Sequence, residues 1–549
     1  MPILQWSGKD KVMNHHWEVP YRVLEHCYGF SKLHGTTKEE TSSGNKIIHG
    51  DNLEALKSLQ LEYEGKIKCI YLDPPYNTGN EHWIYHDNVN DPKLNKWLGK
   101  IVGKESEDLT RHDKWLCMMY PRLKLLHKLL AEDGIIFISI DDHEMANLRV
   151  MMDEIFGYQN FIEYFSWVKT STPPSLSSKS RKTVEYVLCY EKKRTNRKYK
   201  AEEGDGGDAP LLNAGNTPAE LRFPKGSVRF KIDDGFYPKG EYDRVLLCND
   251  IEIRDGYALQ DFVLKGEFKW TQATLDKEIF RGSNFIIKSE KFSIRYLKAE
   301  ETFKAPTNFI KEKYTSPLVD KKTTNVETNE GAKKELLDLF GKNVFDYPKP
   351  VSLIEYFLKF IDDPEAIVLD SFAGSGTTAH AVLKLNQQDN GKRKFILIQR
   401  DENNKEGEAY NIAENITAQR IKKVINEYTN PQNAFDYYEL GEPLFLGEYL
   451  EELNEQVDPE KIKAYVWYTE TRTAYSKKSD YFLGKKDGTA YYFFYKATVP
   501  VPLDRINLPF IKEKAEQYIV YADRCLLPKE FLTKHNIIFK KIPGDIERF

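Results

Sequence analysis

The sequence lacks several features that would assign it to a specialised class of protein. No apolar run approaches the roughly 18 residues that a membrane-spanning helix needs, and the longest, Ile135–Ile140, has the length of a strand. The six cysteines stand singly, with no Cys-x-x-Cys pair, which argues against a disulfide framework or a zinc site. The first residues lack the apolar core of a secretion signal. We therefore expect a cytoplasmic protein without membrane association.

A strong net charge is also missing. The 549 residues carry a formal net charge of −4, with 30% charged and 40% hydrophobic residues, a composition typical of globular proteins. The balance differs locally, because 30 Lys and Arg stand against 26 Asp and Glu between 161 and 330. The densest basic stretch, Lys192–Lys200, fits either a solvated loop or a contact with phosphate. Charge alone therefore does not identify a nucleic-acid partner.

The sequence does contain two blocks in which strand-length apolar runs alternate with helix-length segments, an order typical of a parallel α/β sheet. The segment between the blocks is rich in Gly and Pro and has short alternating runs, such as Phe285–Ile294, that predict antiparallel strands. We therefore expect one α/β domain with an insertion. Its predicted strands are 46–49, 67–72, 135–140, 366–369 and 395–399, and its predicted helices are 113–132, 143–156, 352–361, 377–385 and 411–427.

The length and these patterns predict several domains. The predicted divisions are an N-terminal arm over 1–45, the two halves of the α/β domain over 46–198 and 334–430, the inserted segment over 199–333, and a C-terminal α/β domain over 431–549. In the last of these we expect a hairpin turn at Asp487-Gly488 and a strand, helix, strand order over 518–540.

The first chemical motif, Asp73-Pro74-Pro75-Tyr76, directly follows the predicted strand 67–72. Parallel sheets bind ligands at the carboxyl ends of their strands, and two prolines make this turn stiff. If Asp73 and the Pro74 carbonyl accept both N–H bonds of an aromatic amine, its lone pair is freed for attack, while Tyr76 offers a flat stacking face. The alternative interpretation is a rigid turn after a buried strand.

The second motif, Val368-Leu-Asp-Ser-Phe-Ala-Gly-Ser-Gly-Thr-Thr378, is a predicted strand, a Gly-x-Gly turn and a helix start. Glycines allow close approach of the backbone to a ligand, and the helix start offers free N–H groups. The pattern matches neither a Walker phosphate loop nor the full dinucleotide motif. It favours a nucleoside without pyrophosphate, and a tight strand-to-helix connection is the alternative.

Together the two motifs resemble those of the amino-methyltransferases that act on DNA. The catalytic motif precedes the glycine motif by about 300 residues, which resembles their β class and speaks against the glutamine methyltransferases, where the glycine motif comes first. Further stretches are similar to the modification subunit of type III restriction systems. These are Asp73–Gly79, Met119–Lys124, Ile140–Glu144 and Met152–Gly157, and the similarity covers roughly 45–195 and 340–427.

The resemblance implies a Rossmann-like S-adenosylmethionine-dependent methyltransferase domain with permuted motif order, and a target-recognition domain over 199–333. It implies methylation of the N6 amino group of an adenine flipped out of double-stranded DNA, with homodimerisation and a restriction subunit as expected partners. The implied catalytic residues are Asp73, Pro74, Pro75 and Tyr76, and the implied cofactor-binding residues are Asp51, Lys349, Asp370, Phe372, Ala373, Gly374, Gly376, Thr377 and Gln399.

Several of these expectations keep an alternative open. Asp51 is either a cofactor contact or a helix N-cap, and Lys349 either a cofactor contact or a surface lysine. Relatives commonly end the strand after the glycine motif in an acid that binds the ribose, whereas this sequence presents Gln399 and then Asp401. Cytosine N4 methylation and a catalytically silent DNA-specificity subunit remain as alternative functions.

An acidic cluster with one histidine occurs at Asp141-Asp-His-Glu144. Such residues can bind a metal ion, but the cluster also lies directly before a predicted helix. Acidic side chains at that position cap the helix and complement its dipole. We therefore expect capping and no metal site.

Overall fold

The computed structural model describes residues 3–78, 92–101, 110–172, 180–199, 202–203, 208–299, 303–304, 318–319, 321, 324–403, 409–447, 452–473, 475–478 and 481–547. Contacts divide the chain into two compact units. One consists of Met1–Arg197 with Thr307–Phe549, and the other is Lys198–Pro306.

The larger unit contains an eleven-stranded sheet. In chain order its strands are β1 (Arg22–Ser31), β2 (Gly35–Thr37), β3 (Lys46–His49), β4 (Ile67–Leu72), β5 (Leu130–Ile140), β6 (Phe161–Val168), β7 (Val184–Glu191), β8 (Leu318–Val319), β9 (Ile367–Asp370), β10 (Lys394–Gln399) and β11 (Ala434–Pro443). Their spatial order is β2-β1-β11-β3-β10-β9-β4-β5-β7-β6-β8.

The middle of this sheet is parallel. Strands β11, β3, β10, β9, β4 and β5 run in one direction, and β7 runs against both β5 and β6. Strands β9 and β4 are neighbours, with Val368 opposite Cys69 and Leu369 opposite Ile70. Because they are parallel, the turns that follow them lie side by side at the carboxyl edge, where open α/β sheets bind ligands.

Helices pack against both faces of the sheet, which explains why its central strands are apolar along their whole length. Ile135–Ile140 is buried throughout. The helices of this layer are α1 (Asn52–Tyr63), α2 (Pro92–Ile101), α3 (Arg111–Leu129), α4 (Met145–Met152), α5 (Asn329–Phe340), α6 (Val351–Leu358), α7 (Thr377–Asp389) and α8 (Gln419–Glu427). Single π-helical turns follow α4 at Asp153–Gly157 and precede α8 at Ala413–Ala418.

Every strand and helix predicted from the two blocks is present, with ends shifted by a few residues. The largest differences are at strand 135–140, which begins at Leu130 directly after α3, and at helix 377–385, which continues to Asp389. The predicted arm over 1–45 contributes β1 and β2 to the sheet, and the predicted C-terminal domain over 431–549 contributes β11. These additions depend on pairing between distant segments, which local periodicity does not report.

The second compact unit, Lys198–Pro306, is shorter than the segment predicted over 199–333, because β8 pairs with β6 in the larger unit. It contains the helix Gln272–Phe280 and two sheets around its own apolar core. The expected antiparallel pair is present as Asn284–Ile287 with Ile294–Leu297. One sheet orders Ala219–Phe223, Phe262–Gly266, Val245–Leu247 and Gly240–Tyr242, and the other Gly235–Tyr237, Ile251–Arg254, Tyr257–Ala258, Val228–Phe230, Asn284–Ile287, Ile294–Leu297 and Ala209–Pro210.

The last hundred residues form a separate four-stranded sheet of Phe482–Lys486, Thr489–Phe494, Gln517–Ala522 and Ile537–Lys541, with helices Pro459–Thr471 and Lys529–Lys534. The first two strands form the expected hairpin, whose turn residues Asp487 and Gly488 both have positive φ. In the part of the chain that the structure describes, no helix is both long and apolar enough to cross a membrane.

The remaining elements are short. They are the helices Lys9–Val12, His15–Glu18, Tyr158–Asn160 and Leu508–Phe510, and three two-stranded pairs, Glu202–Glu203 with Phe303–Lys304, Glu402–Asn403 with Ala409–Tyr410, and Phe445–Leu446 with Glu452–Leu453.

Candidate active site

A cavity of about 390 Å³ opens at the carboxyl edge of the parallel strands. Its wall contains the whole Asp73–Tyr76 turn after β4 and most of the glycine turn after β9. Lys349, which precedes α6, lies between the two turns. The two motifs that the sequence singles out, about 300 residues apart, therefore line one cavity.

A buried aromatic side chain holds the Asp73–Tyr76 turn in place. The Trp115 indole N–H on α3 donates a hydrogen bond of 2.7 Å to the Pro75 carbonyl. Pro74 and Pro75 have no N–H of their own to satisfy, so this turn leaves few backbone donors in the cavity. The result is a stiff turn with Asp73 on the cavity wall.

The Asp73 carboxylate takes part in a compact cluster of charges. Lys349 Nζ lies 2.8 Å from it, and the Tyr76 hydroxyl lies 3.0 Å from Asp73 Oδ1 and 3.1 Å from Glu185 Oε2. Lys169 donates to the other Glu185 oxygen at 3.0 Å. Burial raises the pKa of Asp73, and the adjacent Lys349 ammonium offsets part of this rise.

The glycine turn is braced mainly by its own polar groups. Asp370 accepts from the Phe372 N–H at 3.0 Å and from the Thr378 hydroxyl at 2.5 Å. Gly374 and Gly376 have φ of 50° and 80°, and a Cβ added at Gly376 would lie 3.1 Å from the Thr417 methyl carbon. A side chain at Gly376 would therefore be strained in conformation and crowded against Thr417.

A second layer of contacts joins the glycine turn to the loop that carries Lys349. The Thr377 hydroxyl donates to the Lys349 carbonyl at 3.1 Å, and the buried Arg420 guanidinium donates to the hydroxyls of Thr377 and Ser375 at 2.9 and 3.0 Å. Thr417 donates to the Gly374 carbonyl at 2.6 Å. The positions of the two turns are thus coupled through side chains on α7 and α8.

The two side chains considered for ribose binding, Gln399 and Asp401, both make contacts within the protein. Gln399 Oε1 accepts from the Gly374 N–H at 2.7 Å and its Nε2 donates to the Arg400 carbonyl. Asp401 lies 2.7 Å from His49 Nε2. A small cleft of about 30 Å³ is lined by Gln399 and by Glu402. Glu402 is a third candidate and, after Asp401, the second acidic one, and it stands three residues beyond the strand end.

Asp51 caps α1, as one of the two sequence interpretations anticipates. Its side chain accepts from the Leu53 N–H at 2.8 Å, and Arg122 lies 3.4 Å away. Arg122 also donates to Asn52, whose amide donates to the Ser371 carbonyl at 2.8 Å. Asp51 is therefore linked to the glycine turn through its neighbours. Lys349, by contrast, is only 8% exposed and is not a surface lysine.

The acidic cluster before α4 folds back on itself. Asp141 accepts from the His143 N–H at 2.9 Å and contacts the His143 ring at 2.7 Å, while Lys182 pairs with Asp142. Ligand atoms of Asp141, Asp142 and His143 lie within 4.8 Å of one another. The expected capping is not seen, because the N-cap residue of α4, Glu144, makes no side-chain hydrogen bond to the helix start and contacts His112 and Asn77 instead.

Two members of the charge cluster, Glu185 and Lys169, are not singled out by the sequence reasoning. Glu185 stands on β7, whose pattern reads as an ordinary buried strand, and Lys169 follows β6. The local signal in the sequence was a carboxylate within an apolar strand. In the structure Glu185 is only 5% exposed. Such a residue needs a charged partner.

A parallel sheet with a central glycine turn beside an Asp-Pro-Pro-Tyr turn defines an α/β protein of the Rossmann-like methyltransferase class. The chain belongs to the N6/N4 DNA methylase family, whose model matches residues 67–412.

Two curated relatives agree with this assignment. The chain is 33% identical over 457 residues to the type III restriction-modification enzyme StyLTI Mod subunit of Salmonella typhimurium, covering 75% of this chain and 62% of that subunit. It is 31% identical to the type II methyltransferase M.KpnI of Klebsiella pneumoniae, over 65% of this chain and 81% of that enzyme. The solved M1.HpyAVI–SAM complex has a TM-score of 0.30 and 14% identity, covering 68% of this chain and 98% of that one. The chain thus spans less than two thirds of the length of the StyLTI subunit.

Proposed function

We propose that this protein transfers a methyl group from S-adenosylmethionine to the N6 amino group of adenine in double-stranded DNA. The observation that carries the proposal is that the Asp73–Tyr76 turn and the glycine turn line one cavity of about 390 Å³. That volume lies within the range of small-molecule sites, roughly 300–1,000 Å³. A target base inside it has to be flipped out of the duplex.

The Asp73–Tyr76 turn has the groups that activation of an amino nitrogen requires. Asp73 and the Pro74 carbonyl accept the two N–H bonds of the amine, which directs the nitrogen lone pair towards the glycine turn. Tyr76 stacks on the base. The charge cluster fixes these groups before substrate arrives, so little reorganisation accompanies the reaction.

The glycine turn fits the methyl donor. Phe372, Ala373, Gly374 and Thr377 line the cavity, and α7 begins at Thr377, where a helix has N–H groups without intrahelical acceptors. S-adenosylmethionine, when bound, supplies a methyl group on a positively charged sulfur. We assign contact with the ribose hydroxyls to Glu402, because it lines the adjoining cleft with Phe372 while Gln399 supports the Gly374 N–H. Asp370 and Gln399 then act on the donor through the turn that they hold.

The domain organisation and the relatives support roles for the parts of the chain outside the cavity. We assign target recognition to the compact unit Lys198–Pro306, since it has its own core and interrupts the catalytic domain. Association with a restriction subunit is supported by the similarity to the StyLTI Mod subunit. Homodimerisation is a further expectation, and native mass spectrometry of the full chain with and without DNA tests it.

The experiment is incubation of the protein with unmethylated genomic DNA and isotope-labelled S-adenosylmethionine, followed by digestion to nucleosides. Label in N6-methyladenine that disappears with Asp73→Ala supports the proposal. Label in N4-methylcytosine keeps the mechanism and changes the base, an outcome that the family allows. Absence of transfer despite binding of the methyl donor points to a silent specificity subunit and contradicts the proposal.

A further inference from the structure

Three oxygen atoms form a short chain on the cavity wall. Tyr76 Oη lies 3.0 Å from Asp73 Oδ1 and 3.1 Å from Glu185 Oε2. A phenol has a single hydrogen, and two ionised carboxylates can only accept. One of the two contacts therefore has no hydrogen while both carboxylates are charged. This row of three oxygen atoms can therefore take up one additional proton.

The surrounding charges allow that proton to be held. Lys349 Nζ lies 2.8 Å from Asp73 and 3.8 Å from Glu185, and Lys169 pairs with Glu185. Two ammonium groups thus balance two carboxylates before reaction. Among the described residues, the other titratable groups of the cavity wall are Tyr71 on β4, whose hydroxyl bonds to Ser139 on β5, Asp141 at the end of β5, Asp370 at the end of β9, Glu330, Lys333 and Tyr347. Burial raises the pKa of Asp73, so the proton released by the amine can pass first to this carboxylate.

Methyl transfer to an amino group necessarily releases a proton. The nitrogen–carbon bond forms as the sulfur–carbon bond breaks, the sulfur loses its positive charge, and one N–H bond must break to leave a neutral methylamine. The proton appears within the cavity as the sulfonium charge disappears. The total charge of the site stays constant if a group in the cavity wall keeps the proton.

We propose that Glu185 is the acceptor of this proton, reached from the amino group through Asp73 and the Tyr76 hydroxyl. The proton arrives on Asp73 Oδ1 as the N–H bond breaks. Tyr76 Oη takes it and passes its own hydrogen to Glu185 Oε2, so that no net change occurs at Asp73 or Tyr76. The inference rests on the proposed function and adds a residue from β7 to the reaction.

The test is single-turnover methylation across a range of pH, using the DNA site identified in the first experiment. Glu185→Gln removes the acceptor, and Tyr76→Phe cuts the chain but keeps the stacking ring. Each variant should lose about 100-fold of the transfer rate near neutral pH and recover part of it as pH rises, because the proton then leaves Asp73 to solvent base. The double variant should lose no more than either single one.

Glu191→Gln is the matched control. Glu191 stands at the other end of β7, is 1% exposed and accepts from Thr195, so its replacement perturbs the same strand without touching the cluster. It should keep the wild-type pH profile. Melting temperature and affinities for the methyl donor and DNA are measured for every variant.

Two results would overturn the inference: a loss in Glu185→Gln that is the same at every pH, which indicates a structural role, or a wild-type profile in Tyr76→Phe. If the wild-type protein itself transfers no label to DNA, the proposed function fails and this inference fails with it. Transfer by the wild type with unchanged variants contradicts the inference alone.

Discussion

The two turns at the carboxyl edge of the sheet use their polar groups in different ways. The Asp73–Tyr76 turn is stiffened by proline and by Trp115, and its carboxylate and hydroxyl meet other side chains at the cavity wall. The glycine turn is stiffened by Asp370 and Gln399, whose side-chain oxygens accept hydrogen bonds from the main-chain N–H groups of Phe372 and Gly374. One turn places a charged side chain at the cavity wall, and the other places its backbone there.

The residues of the two motifs therefore fall into two kinds: side chains that face the cavity and side chains that hold the backbone in place. Substitution of a cavity-facing group should change the rate of reaction with little effect on folding. Substitution of a bracing group should change folding and ligand affinity together, because the backbone itself forms the ligand contact. Four substitutions, ordered by expected effect, test whether the separation holds.

Asp73→Ala should give the largest change. It removes an acceptor for the reacting amine, and we expect the transfer rate constant to fall by about 1000-fold, as losses of a single preorganised electrostatic group do. Affinity for the methyl donor should change little. Asp142→Ala, at an exposed acid paired with Lys182, is the control and should keep full activity. More than a tenth of wild-type activity in Asp73→Ala would contradict the distinction.

Asp370→Asn should reveal the cost of burying a bracing carboxylate. Burial raises the pKa of Asp370 from 3.8 to about 7. For a group whose folded pKa is raised, the associated stability is complete below the unfolded pKa and is lost as pH rises through the folded pKa. The free energy of unfolding of the wild type should therefore fall relative to the variant between about pH 4 and 7, by on the order of 4 kcal/mol. Denaturant unfolding at several pH values measures this, and parallel pH curves would refute it.

Gly376→Ala tests the conformation of the second turn. The added Cβ meets Thr417 at 3.1 Å and must adopt φ near 80°, so we expect a loss of about 2 kcal/mol in unfolding free energy. Affinity for the methyl donor should fall as well, measured by calorimetry. Gly341→Ala is a useful comparison, since Gly341 also has positive φ but no atom within 4 Å of an added Cβ. Equal losses in the two variants would mean that the contact with Thr417 has no effect.

Gln399→Leu should have the smallest effect. It leaves the buried Gly374 N–H without its acceptor, which costs about 1 kcal/mol, and should weaken binding of the methyl donor without slowing transfer at saturation. Gln399→Glu keeps an acceptor at this place and should retain more affinity than the leucine variant. The reverse order would argue that Gln399 contacts the ligand directly, and Glu402→Gln measured alongside shows which of the two residues holds the ribose.

The sequence predicts the parallel core well because its information is local. Continuous apolar runs such as Ile135–Ile140 identify buried strands, and both turns directly follow such runs. Glu185 was not predicted because two of its partners, Tyr76 and Lys349, are more than 100 residues away in the sequence. Pairing of β1 with β11 is non-local for the same reason. The sequence leaves the role of Asp51 open, since an N-cap and a ligand contact need the same type of residue, and it leaves open whether Gln399 or Asp401 contacts the ribose.

The insertion point of the Lys198–Pro306 unit has an evolutionary consequence. All eleven strands of the large sheet lie outside this stretch of chain, and so do Asp73, Glu185 and the glycine turn. β1 and β11, which are far apart in sequence, pair along eight positions and join the two ends of the catalytic domain. Recombination that replaces only 198–306 therefore exchanges one module while every hydrogen bond of the sheet and both turns are inherited unchanged. DNA specificity, if it resides there, can diversify at a different pace from the chemistry.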